Sequence, residues 1–220
     1  MPPQKVILFI YCWSREYTSI EYSKHELGIE HTTVVNFNNY LREICASDLL
    51  ANPLRIGGPS MNVEIDESQF SKRKNNQERH FPPQWVFGGI CRETGDSFLY
   101  AVDNRSAANL IPIIRDAILP GSTVFSDEWS SYSTVRNLPG FRHLTVNHSL
   151  HFVDPITGAH TQNIECHWKN AKRRNKKHHG THRQMVESYL CEWMWRQRHK
   201  AVPDKFLLML EHIGRYFPPS

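Results

Sequence analysis

The sequence predicts an α/β fold: a mixed sheet flanked by helices and preceded by a small helical segment. Three observations carry this. Strand-like runs rich in alternating apolar residues fall between residues 62 and 102. Helical and strand patterns then alternate from Ala107 to Val146. The stretches before Ala51 and after Gln162 carry helical periodicity.

Val6 to Tyr17 has apolar residues on most faces, which fits a buried helix. Thr18 and Glu21 form a Thr-x-x-Glu capping box that opens a helix to about Leu27. Gly28 suits the left-handed turn that follows a helix. A further helix is expected from about Glu30 to Cys45, with Val34, Phe37, Leu41 and Ile44 on one face and His31, Asn36, Asn39 and Arg42 on the other. Two helices around a glycine turn suggest a helix-turn-helix, though any small helical hairpin shares the pattern. Pro53, Gly57, Gly58 and Pro59 punctuate the next stretch.

Asn62 to Ser68, Trp85 to Arg92 and Ser97 to Val102 read as strands, the last two joined by a turn at Glu93 to Asp96. Ala107 to Ile118 reads as a helix whose true start lies later, because Pro112 is tolerated only near a first turn. A strand at Thr123 to Ser126, a short helix at Trp129 to Arg136 and a strand at Phe141 to Val146 follow. Ile164, Trp168 and Ala171 share one face of a helix from Gln162 to about Arg174. Helices near His182 to His199 and Asp204 to Tyr216 close the chain, the last with Phe206, Leu210, Ile213 and Phe217 on one stripe. This is the element order of a ribonuclease-H-like fold. The expected division is a helical segment at 1–50, a linker at 51–60, a catalytic domain at 61–200 and a C-terminal helix at 201–220.

Hydrophobic residues at 40% and charged residues at 22% argue for a folded chain rather than disorder. Net charge is +4, and the stretch from Lys169 to Lys177 contains basic residues and no acid. Such a run is either a solvated helix face or a polyanion-binding surface. Five cysteines without a Cys-x-x-Cys pair weigh against a disulfide framework or zinc ribbon. Val6 to Trp13, the longest apolar run, is too short to span a bilayer and lacks the flanks of a secretory signal, so a soluble intracellular protein without membrane partners is expected. His160, Cys166, His167, His178 and His179 are crowded but lack the paired spacing of a zinc site. Trp193 and Trp195 read as core rather than as a base-stacking platform.

Three acids stand out. Asp66 lies inside the first strand, Asp127 at the end of the fourth, and Glu165 in the first turn of a later helix. Strand ends are where open α/β sheets place ligands. If these carboxylates converge, their repulsion calls for divalent cations. Two such ions about 4 Å apart suit an in-line displacement at a phosphodiester. Each acid has an ordinary alternative: an exposed edge-strand acid at Asp66, a helix N-cap at Asp127, a first-turn acid at Glu165. Lys169 and Lys172 share a face with Glu165, as a DNA-contacting or a plain surface ladder would.

The strings Val63-Glu-Ile-Asp-Glu-Ser68, Trp85-Val-Phe-Gly-Gly89, Ser126-Asp-Glu-Trp-Ser-Ser-Tyr132, Val146-Asn-His-Ser149 and His160-Thr-Gln-Asn-Ile-Glu165, with Trp168 and Lys172, resemble the ISXO-like transposase domain. Bacterial insertion-sequence transposases and eukaryotic Merlin DNA transposons share that domain. The resemblance covers about residues 20 to 200. It implies an Asp-Asp-Glu triad of Asp66, Asp127 and Glu165, with two Mg²⁺ or Mn²⁺ ions per active site. It also implies cleavage and strand transfer at transposon ends, double-stranded DNA as partner, and a homo-oligomer. Lys172 is the helix lysine of the family, with Lys169, Arg173 and Arg174 beside it to position DNA. His148 and His160 match positions near the active site, expected to contact DNA or support the metal shell. The basic loop with Lys72, Arg73, Lys74 and Arg79 keeps the family's charge but has Glu78 where Gly is common. The family usually has more sequence before its helix-turn-helix, so a truncated or domesticated DNA-binding derivative without cleavage activity stays open as the alternative. His160 to Trp168 looks closer to the eukaryotic members, which points to the nucleus, or to the cytoplasm and nucleoid in a bacterial host.

Overall fold

The computed structural model describes residues 1–70, 84–147, 150, 153–155, 158–177 and 182–218, without the side chains of 174–177. In chain order the elements are helices α1 (Pro3–Ser14), α2 (Ile20–Leu27) and α3 (His31–Ala51), then strands β1 (Ile56–Gly57), β2 (Asn62–Gln69), β3 (Trp85–Cys91) and β4 (Ser97–Val102). Next come α4 (Ala107–Ala117), β5 (Ile118–Leu119), β6 (Thr123–Asp127), two 3₁₀ turns at Ser130–Tyr132 and Val135–Asn137, and β7 (Arg142–Val146). The chain ends with α5 (Gln162–Lys177), a 3₁₀ turn at Arg183–Met185, α6 (Val186–Arg198) and α7 (Lys205–Tyr216).

Two compact units form. One joins Met1–Pro53 with Cys191–Ser220, and the other is Leu54–Leu190. The sequence division ran the second domain to residue 200 and set the last helix apart. The structure groups both chain ends in one helical unit, and the stretch read as linker carries β1.

The second unit is built on a sheet of order β4-β3-β2-β6-β7. β2, β3 and β4 are antiparallel neighbours, while β6 is parallel to β2 and β7 parallel to β6. Period-two alternation sorts β2 onto two faces. Val63 and Ile65 enter an apolar core with Phe87, Cys91 and Val124, closed by Leu110, Ile114 and Ala117 of α4. Glu64, Asp66 and Ser68 point to the other face, where α5 lies. The result is helix, sheet, helix.

α4 begins at Ala107 despite Pro112. The proline forfeits one helical hydrogen bond, but burial of Leu110, Ile114 and Ala117 outweighs that loss. The expected short helix at Trp129 to Arg136 is instead the pair of 3₁₀ turns, which set Tyr132 and Val135, three apart, into the core.

The helical unit has its own core, with Phe9, Trp13, Leu41, Cys45, Trp195 and Met209 among its members. Ser19, not Thr18, caps α2, its hydroxyl accepting from the Tyr22 N–H over 3.2 Å. Thr18 instead donates to Asn38 Oδ1 of α3 over 2.9 Å. Gly28 takes φ +58°, a left-handed conformation ending α2. Arg42, expected on the polar outer face of α3, is buried and lies 3.8 Å from Glu192 of α6. Arg196 donates to the carbonyls of Trp13 (2.8 Å) and Ser14 (3.4 Å), satisfying the C-terminal end of α1, and pairs with Glu192 at 3.1 Å. On α7 the buried residues are Met209 and His212, while Phe217 at the end of the expected stripe is exposed. His212 takes the central place because its ring accepts from the buried Trp195 indole.

Candidate functional site

Three carboxylates lie on β2, and the structure treats them differently. Glu64 is wholly buried. It accepts from Arg92 Nε and Asn163 Nδ2, both at 2.7 Å, and from the Ile164 N–H at 3.0 Å. Glu67, on the opposite face, pairs with Arg105 at 3.1 Å and accepts from the Tyr132 hydroxyl. Burial pushes the Glu67 carboxyl up, while the Tyr132 bond holds it back. Asp66 accepts from the Trp168 indole N–H at 2.9 Å. Among the described residues Asp66 and Asp127 have no cationic side-chain partner.

Asp127 ends β6, the parallel neighbour of β2, whose register sets Asn62 beside Thr123. One Asp127 oxygen accepts from the Trp129 N–H at 2.9 Å, a turn two residues long; the 3₁₀ turn that follows takes Trp129, not Asp127, as its N-cap, so the helix-capping alternative does not hold. Asp66 feels the charge of Asp127. Burial, then Glu67, then Asp127 push the Asp66 carboxyl up to about 7, against the Trp168 bond and a backbone N–H. A half-buried carboxylate with two like charges near it is a site that asks for a cation.

Glu165 sits in the first turn of α5, exposed, one residue after Ile164. Among the described residues Asp66, Asp127 and Glu165 are not a set with all ligand oxygens within 4.8 Å. Oxygen-only donors suit Mg²⁺ or Mn²⁺, so by donor chemistry the three acids fit such ions.

α5 is registered against β2 at three points. Asn163 and Ile164 meet Glu64, Trp168 meets Asp66, and Lys172 Nζ donates to Ser68 Oγ at 2.6 Å. Four helical residues rise about 6 Å and two strand residues about 6.6 Å, so the steps nearly match. Gly88, directly opposite Asp66 in β3, leaves room for the Trp168 ring: a Cβ there would lie 2.9 Å from it. Lys172 also sits 5.4 Å from the Phe70 ring centre. Lys169 and Arg173 are exposed. His160 contributes its carbonyl to Arg92 (2.7 Å), and its Nδ1 is 3.4 Å from Glu64. Lys72, Arg73, Lys74, Arg79 and His148 lie outside the described residues, as does the side chain of Arg174.

Beside Asp127, Arg105 is stacked between Trp85 and Trp129, 4.1 and 4.2 Å from their ring centres. Its carbonyl accepts from Ser131 Oγ at 2.7 Å. The loop after β6 is thus tied to β2 through Glu67. Sequence reasoning missed Glu64, Arg92, Asn163 and Arg105. The one available signal was that Glu64 and Asp66, two apart on a strand, must share a face.

A second cluster lies in the helical unit. Asp48, His199 and His212 have ligand atoms within 4.8 Å of one another. Asp48 accepts from His199 Nε2 (3.0 Å), Asn52 Nδ2 (2.9 Å) and the Tyr216 hydroxyl (3.1 Å). His212 Nδ1 accepts from Trp195 Nε1 at 3.2 Å. An indole can only donate, so the neutral His212 ring carries its proton on Nε2, which faces Asp48 at 3.8 Å. A metal-binding histidine donates its second nitrogen rather than accepting there. This cluster fits protons, not a metal.

The strand order, with an antiparallel trio followed by two parallel strands, defines a ribonuclease-H-like domain. A family model for the ISXO2-like transposase domain matches residues 57–198, and the chain belongs to that family. An uncharacterized transposase-like protein of Haemophilus influenzae is 31% identical over 116 residues, 53% of this chain and 92% of the relative. Among solved structures, the HTLV-2 integrase catalytic core domain in complex with magnesium (dimeric form) aligns over 63% of this chain and 84% of that one, at 6% identity and TM-score 0.38. The simian T-cell lymphotropic virus intasome in complex with PP2A regulatory subunit B56 gamma aligns over 96% and 76%, at 13% identity and TM-score 0.44. The fold assignment rests on this chain's own strand order.

Proposed function

We propose that this transposase-family chain cuts DNA at transposon ends and joins the freed 3′ ends to a target, using Asp66, Asp127 and Glu165 as metal ligands. One observation carries the reading. On β2 Glu64 and Glu67 have arginine partners, whereas among the described residues Asp66 has no cationic partner and feels the like charges of Glu67 and Asp127. When bound, two Mg²⁺ or Mn²⁺ ions supply neutralisation of the phosphate and activation of the attacking oxygen.

The chain's own residues do the rest. Asp66, Asp127 and Glu165 would hold these ions through their carboxylate oxygens. The Trp168 N–H orients Asp66 and favours its ionised form against the rise that burial and Glu67 impose. Lys169 and Arg173 on the exposed side of α5 take phosphates, as do the basic residues between positions 72 and 79. Two element ends must be handled together, which asks for at least two copies of the chain.

The test is strand transfer on end-containing duplexes with Mg²⁺ or Mn²⁺. Asp127→Asn keeps an oxygen for the Trp129 N–H and removes the charge, so loss of cutting in that variant with an unchanged melting temperature supports the reading. A wild-type protein that binds these duplexes and never cuts them sinks it.

A further inference from the structure

We infer that Glu64 is a positioning residue: it fixes the first turn of α5 so that Glu165 is held at one height beside Asp66. This rests on the reading of Asp66 and Glu165 as metal ligands. The N–H groups of a helix's first turn lack intrahelical partners and are ordinarily capped from their own chain end. Here a buried carboxylate on β2 receives the Ile164 N–H, while Asn163 donates to its other oxygen. Arg92 holds that oxygen at 2.7 Å and is itself fixed, with its guanidinium 3.9 Å from the Phe125 ring centre and bonded to the His160 carbonyl.

Glu165 is therefore bracketed. One residue before it α5 is tied to Glu64, and three residues after it Trp168 is tied to Asp66. Sliding α5 along β2 breaks one anchor or the other. Both anchors come from the same strand face as Asp66, so the position of the third acid is set by the strand that carries the first. A negative group at a helix N-terminus also favours this docking.

The experiment measures Mn²⁺ binding by calorimetry, with the metal alone, on the full chain. Glu64→Gln and Glu165→Gln are each expected to weaken Mn²⁺ binding about tenfold, the scale seen when a supporting partner of a ligand is lost. The double variant binds no more weakly than Glu165→Gln alone, because Glu64 acts through Glu165. Multiplying effects in the double variant, or wild-type Mn²⁺ affinity in Glu64→Gln, overturn the inference. Asn163→Ala, which leaves the buried ion pair intact, is expected to shift affinity in the same direction and decides the matter if Glu64→Gln does not fold. Wild-type protein showing this binding pattern without cutting DNA overturns the transposition chemistry and leaves the clamp standing. Wild-type protein that cuts DNA, with independent effects at the two positions, overturns the clamp alone. Wild-type protein that binds no Mn²⁺ overturns both.

Discussion

The Trp168 indole donates to Asp66 from above Gly88, the residue paired with Asp66 across the β2–β3 ladder. The bond exists because the strand has no side chain at that point. Gly88→Ala would put a Cβ 2.5 Å from Leu99 Cδ2, 2.9 Å from Trp168 Cη2 and 3.1 Å from the Phe98 carbonyl. We expect a loss of about 1–3 kcal/mol in denaturant unfolding, the usual cost of overpacking a core. A mutant as stable as wild type would show that the ring is not seated there.

Asp66 makes the metal-free protein sensitive to alkali. Its carboxyl is raised from 3.8 to about 7, so the folded state holds the proton more tightly than the unfolded chain. The resulting stability is complete below pH 3.8 and is lost as pH rises through about 7. A shift of that size corresponds to about 4 kcal/mol at full ionisation. In EDTA at pH 8, Asp66→Asn is expected to melt higher than wild type, with the gap closing by about pH 4. Equal melting temperatures at pH 8 would contradict this.

The helical unit should respond in the opposite direction. Burial lowers the His212 pKa from 6.5, with His199 and Arg215 adding and Asp48 and Glu211 opposing. Burial alone would raise Asp48, but bonds from His199 and Tyr216 and the His212 charge bring it below 3.8. Both groups give stability that is present at neutral pH. His212 loses its share as pH falls below 6.5, and Asp48 its share below 3.8. A protonated His212 has two donors and cannot accept from Trp195. After correction for the intrinsic pH dependence of amide exchange, protection at pH 5 relative to pH 7.5 should fall at 31–51 and 205–216 and rise at 62–69 in the metal-free protein. A uniform change across both would refute the assignment.

Arg196 is expected to matter far more than Arg215, although both sit four residues after a glutamate. Arg196 is mostly buried, closes the end of α1 and neutralises a buried Glu192. Arg215 and Glu211 are both more than half exposed. Arg196→Met should cost about 2–4 kcal/mol, and Arg215→Met less than about 0.5 kcal/mol. Chemical denaturation of the two variants decides it.

Much of the sheet unit could be read directly. Alternation gave β2 and β4 within a residue, and the 3.6-residue period gave the Ile164, Trp168 and Ala171 face of α5. What stayed hidden were the charges that pair inside. Glu64 looks like any acid on a half-exposed strand, and its partners Arg92 and Asn163 are far away in sequence. Arg42 failed for the same reason: polarity places a residue outside unless a partner from elsewhere neutralises it, and Glu192 does so here. The Pro112 and Trp129 to Arg136 expectations failed because tertiary burial overrode local propensity. The proposed site acids were legible by position, but the unequal pairing that singles out Asp66 needed coordinates.

The helical unit draws on both ends of the chain, which has a consequence for synthesis. Helices α1 to α3 leave the ribosome well before Trp195 and Met209, which fill their core. The sheet unit, translated in between, can complete its folding while the earliest helices are still waiting for theirs. Those helices then expose Phe9, Trp13 and Leu41 throughout elongation, and a chaperone that binds nascent apolar segments would find them there.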